Sequence, residues 1–430
     1  MQIDDILLLR MNRQYLFAPA KDEFTVLRGL CGLQAQFYGN CLHALRLRCG
    51  KAPDEDILRT SAVKTWTLRG TLHLIAQSDL PLFLYNGRSH FLRPCDTMEN
   101  DDHLSAARKR ELAAIILDAA QKGCGGREEL RLLCREHGMT ADEEQSAFDP
   151  WGGLLRALCE SGVLCHTAQQ KKAFRPCPPF DPITRDDALR ELLHRYLTHY
   201  GPVTVQDAAY FFGLPQRELL PLIESLSPRE FVCEGKTFYR LDDINIIGDL
   251  SCCRFLAGFD PLMLGYEKRS NPFLPEEALR GVFTLAGIVR PSILLDGKIV
   301  GVWKRRGKAV ELTWLMPLLF GFSEIRSPNW FGGIKSRPLG ARGIAAPAAL
   351  HGSKGEFSFA KENPPFGTPR ERLDIAGEQL EELQCLPIAL PCARRCRVWI
   401  CYTIWVTSTT RCRSADLVEV RTNFRLLGHS

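Results

Sequence analysis

No stretch of this 430-residue chain stays apolar for the roughly 20 residues that a membrane-spanning helix needs. The N-terminus, MQIDDILLLRMNR, has acidic residues where a secretory signal carries basic ones, so no export signal is read there. A cysteine framework is also missing. The 17 cysteines are an odd number, two of them adjacent as Cys252-Cys253, and no CxxC pair recurs at zinc-ligand spacing. These features fit reduced, mostly buried thiols in a cytoplasmic protein, with no structural metal expected. Charge of one sign is scarce as well. The net charge is +5, and the whole excess lies beyond residue 323, where 15 Lys+Arg face 10 Asp+Glu. If the chain meets an anionic polymer, local basic patches must do the work and not its overall field.

What is present is a recurring order of elements. TRDDALRELLHRYLTHYG has apolar residues at helical spacing and ends at Gly201. PVTVQDAAYFFGL follows, with Thr204 placed to cap it and Gly213 to stop it. Pro215 opens QRELLPLIESL, and REFVCEGKTFYRL reads as a hairpin turning at Glu234-Gly235. Helix, helix, helix, hairpin is the order of a winged helix. The same order recurs from ARKRELAAIILDAAQKG to VLCHTAQQKKAFRP, and once more before residue 95, where TWTLRGTLHLI supplies the strands. In TWTLRGTLHLI, Trp66, Leu68, Leu72 and Leu74 alternate with polar residues. Period two therefore predicts that Arg69, Thr71 and His73 point together from one strand.

From about residue 250 strands dominate, with Asp296-Gly297 between apolar runs as a hairpin signal. The fold class expected is α+β: three tandem winged helices (1–98, 99–180 and 181–245), a small β-barrel-like domain (246–322), then an irregular tail (323–430). Periodicity collapses abruptly at the start of that tail, which suggests a frameshifted extension or a disordered segment. Asp260 and Arg269 are expected to form an ion pair beneath the barrel.

One short stretch stands apart: GLQAQFYGN, residues 32–40, with Gln34 and Gln36 on either side of Ala35. On a helix the two amides diverge; on an extended segment they face the same way. A carboxamide donates and accepts but does not titrate near neutral pH, so the pair cannot act as a strong general base. It can hold a water molecule, which suits a reaction whose leaving group is already good.

GLQAQFYGNCLHALRLRCG followed by TWTLRGTLHLIAQSDL resembles the AlkZ/YcaQ-type winged-helix DNA glycosylases, a family with a glutamine–apolar–glutamine motif and a downstream Arg-Gly-Thr-Leu-His segment. The likeness runs through AGFDPLMLGYEKR and ILLDGKIVGVWKRRG and covers roughly residues 5 to 320. It implies a monofunctional glycosylase that excises N7- or N3-alkylated purines, and in some relatives interstrand crosslinks, with Gln34 and Gln36 positioning the attacking water. Arg69, Thr71, His73, Lys171, Lys172 and Arg175 are the expected DNA-binding or site-supporting residues, Lys171, Lys172 and Arg175 lying at a predicted wing tip. The expected partner is double-stranded DNA, met by a nucleoid-associated monomer without cofactor or metal. The alternative is a non-catalytic winged-helix DNA-binding protein or regulator, which has no chemical need of the two glutamines.

Overall fold

The computed structural model describes residues 1–85, 88–89, 103–149, 153–169, 172–242, 248–306 and 309–316, together with the backbone of five short strands beyond them. Helices and antiparallel strands alternate in blocks, as an α+β reading requires. No helix among the described residues is long and apolar enough to cross a membrane.

The block from 184 to 240 forms as its local signals direct. Thr184 caps Arg185–Tyr200 by accepting from the Asp187 amide, and Thr204 caps Val205–Phe212 through a reciprocal bond with Asp207. Gly213 ends that helix with φ 68°, a left-handed conformation that favours glycine. Pro215 precedes Gln216–Ser225, and strands Arg229–Cys233 and Lys236–Arg240 turn at Glu234 and Gly235, both with positive φ.

The two upstream hairpins do not stand alone. They share one five-stranded sheet, in the order Leu33–Gln34, Leu72–Ala76, Ala62–Trp66, Leu164–His166, Phe174–Pro176, with Lys64 paired to His166 where the two hairpins meet. The TWTLRGTLHLI segment is not one strand. It folds back at a turn over Leu68–Gly70, and Arg69 there has φ 55°. Arg69 is therefore in a turn and not on a strand, since alternation cannot register a reversal of direction, yet its side chain still meets His73.

The β region pairs Cys253–Phe255, Ser292–Leu295, Lys298–Arg306 and Ala309–Trp314 in antiparallel succession, turning at Asp296-Gly297. The tail is not wholly irregular. Its described parts are short strands, and the backbone of Asp416–Asn423 runs parallel to Ala309–Trp314 while pairing with Arg370–Ile375. Leu417, Val418 and Val420 give that segment β-branched and aliphatic content in spite of its weak alternation. The outer strands of this seven-stranded sheet, Cys253–Phe255 and Ile334–Ser336, are not paired with each other.

Burial divides the molecule differently from the order of elements. One continuous core holds residues from Leu7 to Leu84, from Ala188 to Tyr239, and from Cys252 to Val302, together with Cys165 and Ala168. The helices between 106 and 160 and the hairpin after them enclose a separate core built on Leu112, Ile116, Leu130, Leu155 and Phe174. Buried polar contacts tie the large core together. Arg10, 1% exposed, donates to the Pro202 carbonyl at 2.8 Å, meets Asp207 at 3.3 Å and lies 3.8 Å from the Tyr266 ring centre. Tyr266 in turn accepts from Gln14 and donates to the Tyr200 carbonyl.

Candidate active site

The glutamine motif lies where a helix gives way to an extended chain. The helix Glu23–Gly29 ends, and Cys31 and Gly32 take φ 56° and 84°, which turns the chain into strand Leu33–Gln34. Gly32 is required on two counts: its φ, and a close approach in which a Cβ would meet Ile75 Cγ2 at 2.7 Å. The strand then lies against Leu72–Ala76, with Leu33 opposite Leu74 and Gln34 opposite His73, and the Ala35 amide donates to the Leu72 carbonyl at 2.8 Å. Helix Tyr38–Cys49 begins directly after Phe37.

Only Leu33–Gln34 is strand: Ala35 follows, fully buried, and Gln36 and Phe37 lie in a bend that leads into the helix. The environments of the two glutamines differ sharply. Gln34 is 9% exposed beside His73, whereas Gln36 is solvent-exposed at the mouth of the helix. Gly39, on the first turn of that helix, faces open space: a Cβ there meets nothing within 4 Å.

His73 is held in one state. Arg69 Nη2 lies 3.3 Å from its Nε2, and the Thr71 carbonyl oxygen lies 3.1 Å from its Nδ1. A guanidinium can only donate and a carbonyl can only accept, so Nε2 carries the lone pair and Nδ1 the proton. Burial, with Arg69 beside it, pushes the imidazole down to about 3. His73 is neutral at physiological pH and both its nitrogens are engaged. It lies opposite Gln34 in the sheet and is not suited to exchange protons. The polar row continues to fully buried Thr65, the next cross-strand partner of His73, whose hydroxyl donates to the Cys159 carbonyl at 3.5 Å.

The other candidates separate into two kinds. Arg69 donates to the Phe211 carbonyl at 2.5 Å and stands 5.3 Å from that ring, so its terminal nitrogens join the hairpin turn to helix Val205–Phe212. The Thr71 hydroxyl closes the turn by donating to the Leu68 carbonyl at 3.2 Å. Arg175 is half-buried and donates to the Ala62 carbonyl at 3.2 Å, linking the two hairpins. Lys172 is exposed, and Lys171 lies outside the described residues. Lys304 and Arg305 are exposed on their strand.

The expected Asp260–Arg269 pair does not form. Asp260 takes both terminal nitrogens of Arg48, at 2.8 and 3.1 Å, with both side chains fully buried, and it also caps the short helix Pro261–Leu264. Arg269 is exposed. The actual partner is 212 positions away, beyond the reach of any local pattern. This pair anchors the motif's own helix, Tyr38–Cys49, to the β region. Phe37 adds a second tie, stacking on Phe259 with ring centres 5.7 Å apart and planes 18° from parallel. Lys64 was also missed. It is 4% exposed, lies 5.7 Å from the Tyr38 ring centre, and burial lowers its ammonium. Only its place inside a strand, between Val63 and Thr65, signalled it.

The arrangement offers two carboxamides, Gln34 on a short strand opposite a neutral histidine and Gln36 in an exposed bend. It suits placement of a water and not proton abstraction by a strong base.

Comparison with known proteins agrees in extent. The family model described as "DNA glycosylase AlkZ-like" matches residues 27–319. A relative from Streptomyces sahachiroi, the "Interstrand DNA cross-link repair glycosylase", is 26% identical over 322 residues, covering 69% of this chain and 85% of the relative. The solved structure of Streptomyces sahachiroi DNA glycosylase AlkZ superposes with a TM-score of 0.60 at 24% identity, covering 75% of this chain and 93% of that one, a likeness of fold.

Proposed function

Because the chain belongs to the AlkZ-like DNA glycosylase family, we propose that it is a monofunctional glycosylase that hydrolyses the N-glycosidic bond of N7- or N3-alkylated purines in duplex DNA. Such bases carry a positive charge, so the bond to C1′ is weakened before the enzyme acts. Gln34 and Gln36 hold a water whose oxygen bonds to C1′ as the C1′–N bond breaks. The bonding electrons leave with the base and neutralise it, and the water's spare proton passes to solvent. No titrating base is needed, which fits two carboxamides beside a His73 that is neutral at physiological pH. The gain comes from position and from preset dipoles around an oxocarbenium-like sugar. We read the three helix-plus-hairpin units as winged helices and the exposed Lys172 as a phosphate contact. The Streptomyces relative is named for interstrand crosslink repair, and we extend that substrate to this chain.

The observation that carries this reading is the motif between two helices, with Gln34 on a strand opposite His73 and Gln36 open to solvent in the bend that follows. The test is release of base from a duplex with a single N7-methylguanine, detected as an alkali-labile site. A second duplex, crosslinked through purine N7 atoms, tests the crosslink substrate. A folded, DNA-binding chain that releases neither base nor crosslink would favour the regulator reading.

A further inference from the structure

A short turn beside the motif has no role in the chemistry above. After helix Glu276–Val282 the chain reverses between Phe283 and Val289, which pair as an isolated bridge. Hydrogen bonds of Thr284 hold the reversal. The Thr284 amide donates to the Ile288 carbonyl at 2.9 Å, the Ile288 amide to the Thr284 hydroxyl at 3.0 Å, and the Gly287 amide to the Thr284 carbonyl at 3.1 Å. Its tip is nonetheless apolar. Leu285 is 91% exposed and Ile288 37%.

Single exposed leucines are ordinary on protein surfaces, so location must decide. Seven large hydrophobic side chains are exposed among the described residues, and three of them, Phe37, Leu285 and Ile288, belong to this one neighbourhood. Phe37, the residue after Gln36, is 45% exposed and stacks on Phe259. The Phe259 amide donates to the carbonyl of Val289, the last residue of the turn. At Gly258 a Cβ would sit 2.6 Å from the Asn40 amide nitrogen and 3.2 Å from that same Val289 carbonyl, so the motif helix and the turn close on one point. Cations accompany it. Arg280 and Arg290 are exposed on either side of the turn, and Lys268 lies 6.0 Å from the Phe283 ring centre. The acidic residues of the same helix, Glu276 and Glu277, occupy its far end.

A stiff turn, an apolar tip and flanking cations next to a water-placing motif suit one occupant: the base stack of the duplex that the motif attacks, its phosphates held by the arginines. Proteins that open a base step insert aliphatic or aromatic side chains of this kind. We infer that Leu285, backed by Ile288 and Phe37, is a wedge that enters the stack beside the alkylated base and exposes its C1′ to the glutamines. The inference rests on the glycosylase reading for its substrate, but not for its readout.

The experiment uses the full chain and a duplex with 2-aminopurine, fluorescent when unstacked, next to a single N7-methylguanine. The wild type is expected to raise the fluorescence on binding. Leu285→Ala is expected to bind the duplex nearly as well while giving little rise, and to release base about tenfold more slowly, the scale of a lost base-stacking contact. Leu285→Met is expected to restore both. Release by Leu285→Ala should recover when the modified base has no pairing partner, because the wedge is then not needed. Leu285 is so exposed that its truncation leaves the fold alone. A fluorescence rise in Leu285→Ala equal to that of the wild type would overturn the wedge, as would binding by the wild type with no rise at all. A wild type that raises the fluorescence yet releases no base would overturn the glycosylase reading and leave the wedge standing. A wild type that does not bind the duplex would overturn both.

Discussion

Behind Gln34, Arg69 spends its terminal nitrogens on Phe211 and His73, His73 is pinned by Arg69 and Thr71, and Arg48 and Asp260 are sealed together. After Gln36, Phe37 is exposed and Gly39 faces open space. Within five residues the chain passes from a buried, bonded frame to an open surface. The frame belongs to the large shared core, whose parts come from distant stretches of sequence. The open side is where a duplex can approach. A site that positions water, and does little else, needs both: rigidity to place an atom to within a fraction of an ångström, and access for a large substrate.

The sharpest way to break the frame is at its buried ion pair. Asp260→Ala leaves the Arg48 guanidinium sealed without its partner and is expected to cost about 3–5 kcal/mol of stability, measured by urea unfolding. Replacing both with apolar residues of similar size, Arg48→Met with Asp260→Leu, is expected to cost much less.

Acid tests the frame next. His73 and His166 are each pushed down to about 3 by burial, His166 with Lys64 and Lys172 nearby. Unfolded, each takes a proton near pH 6.5. Stability is therefore complete above about pH 6.5 and lost as pH falls towards 3. By pH 5 the loss is about 2 kcal/mol per histidine. Both ring nitrogens of His166 lack a hydrogen-bond partner among the described residues, and its ring lies among Trp66 and Phe174. His166→Phe should accordingly remove about half of this acid sensitivity, read as the change in unfolding midpoint between pH 7 and pH 5.

Much of this was legible in the residues, and what was missed has a physical pattern. The helices after Thr184 and Thr204 and the turn at Glu234-Gly235 are local events, encoded by caps and by residues that accept positive φ. The course of the motif itself was left open by the residues; it lies between helices Glu23–Gly29 and Tyr38–Cys49, with Leu33–Gln34 as strand after the positive φ of Gly32. Arg69 was misplaced because periodicity is blind to a reversal. The Arg48–Asp260 pair and the joining of two hairpins at Lys64 and His166 depend on residues about a hundred or more positions apart, which only the packed chain brings together. Leu285 carries no sequence signal, since one leucine in a turn looks like any other.

On the open surface the expected effects are smaller. Lys172→Ala should leave stability unchanged and weaken DNA binding by less than about tenfold at physiological salt. It should also reduce the salt slope of binding by about 1, as loss of one phosphate contact requires. An unchanged slope would remove Lys172 from the interface.

The measurement that bears most directly on the account is the single-turnover rate of base release from N7-methylguanine duplex DNA, at saturating protein, for the wild type, Gln34→Ala and Gln36→Ala between pH 6 and pH 8. The account predicts a fall of about a hundredfold in each variant with DNA affinity little changed, since water is misplaced while the frame stays intact. It predicts a nearly flat pH profile for the wild type, since neither carboxamide titrates and His73 stays neutral. Rates in both variants within a few-fold of the wild type, or a steep rise with pH that marks a titrating base, would contradict it.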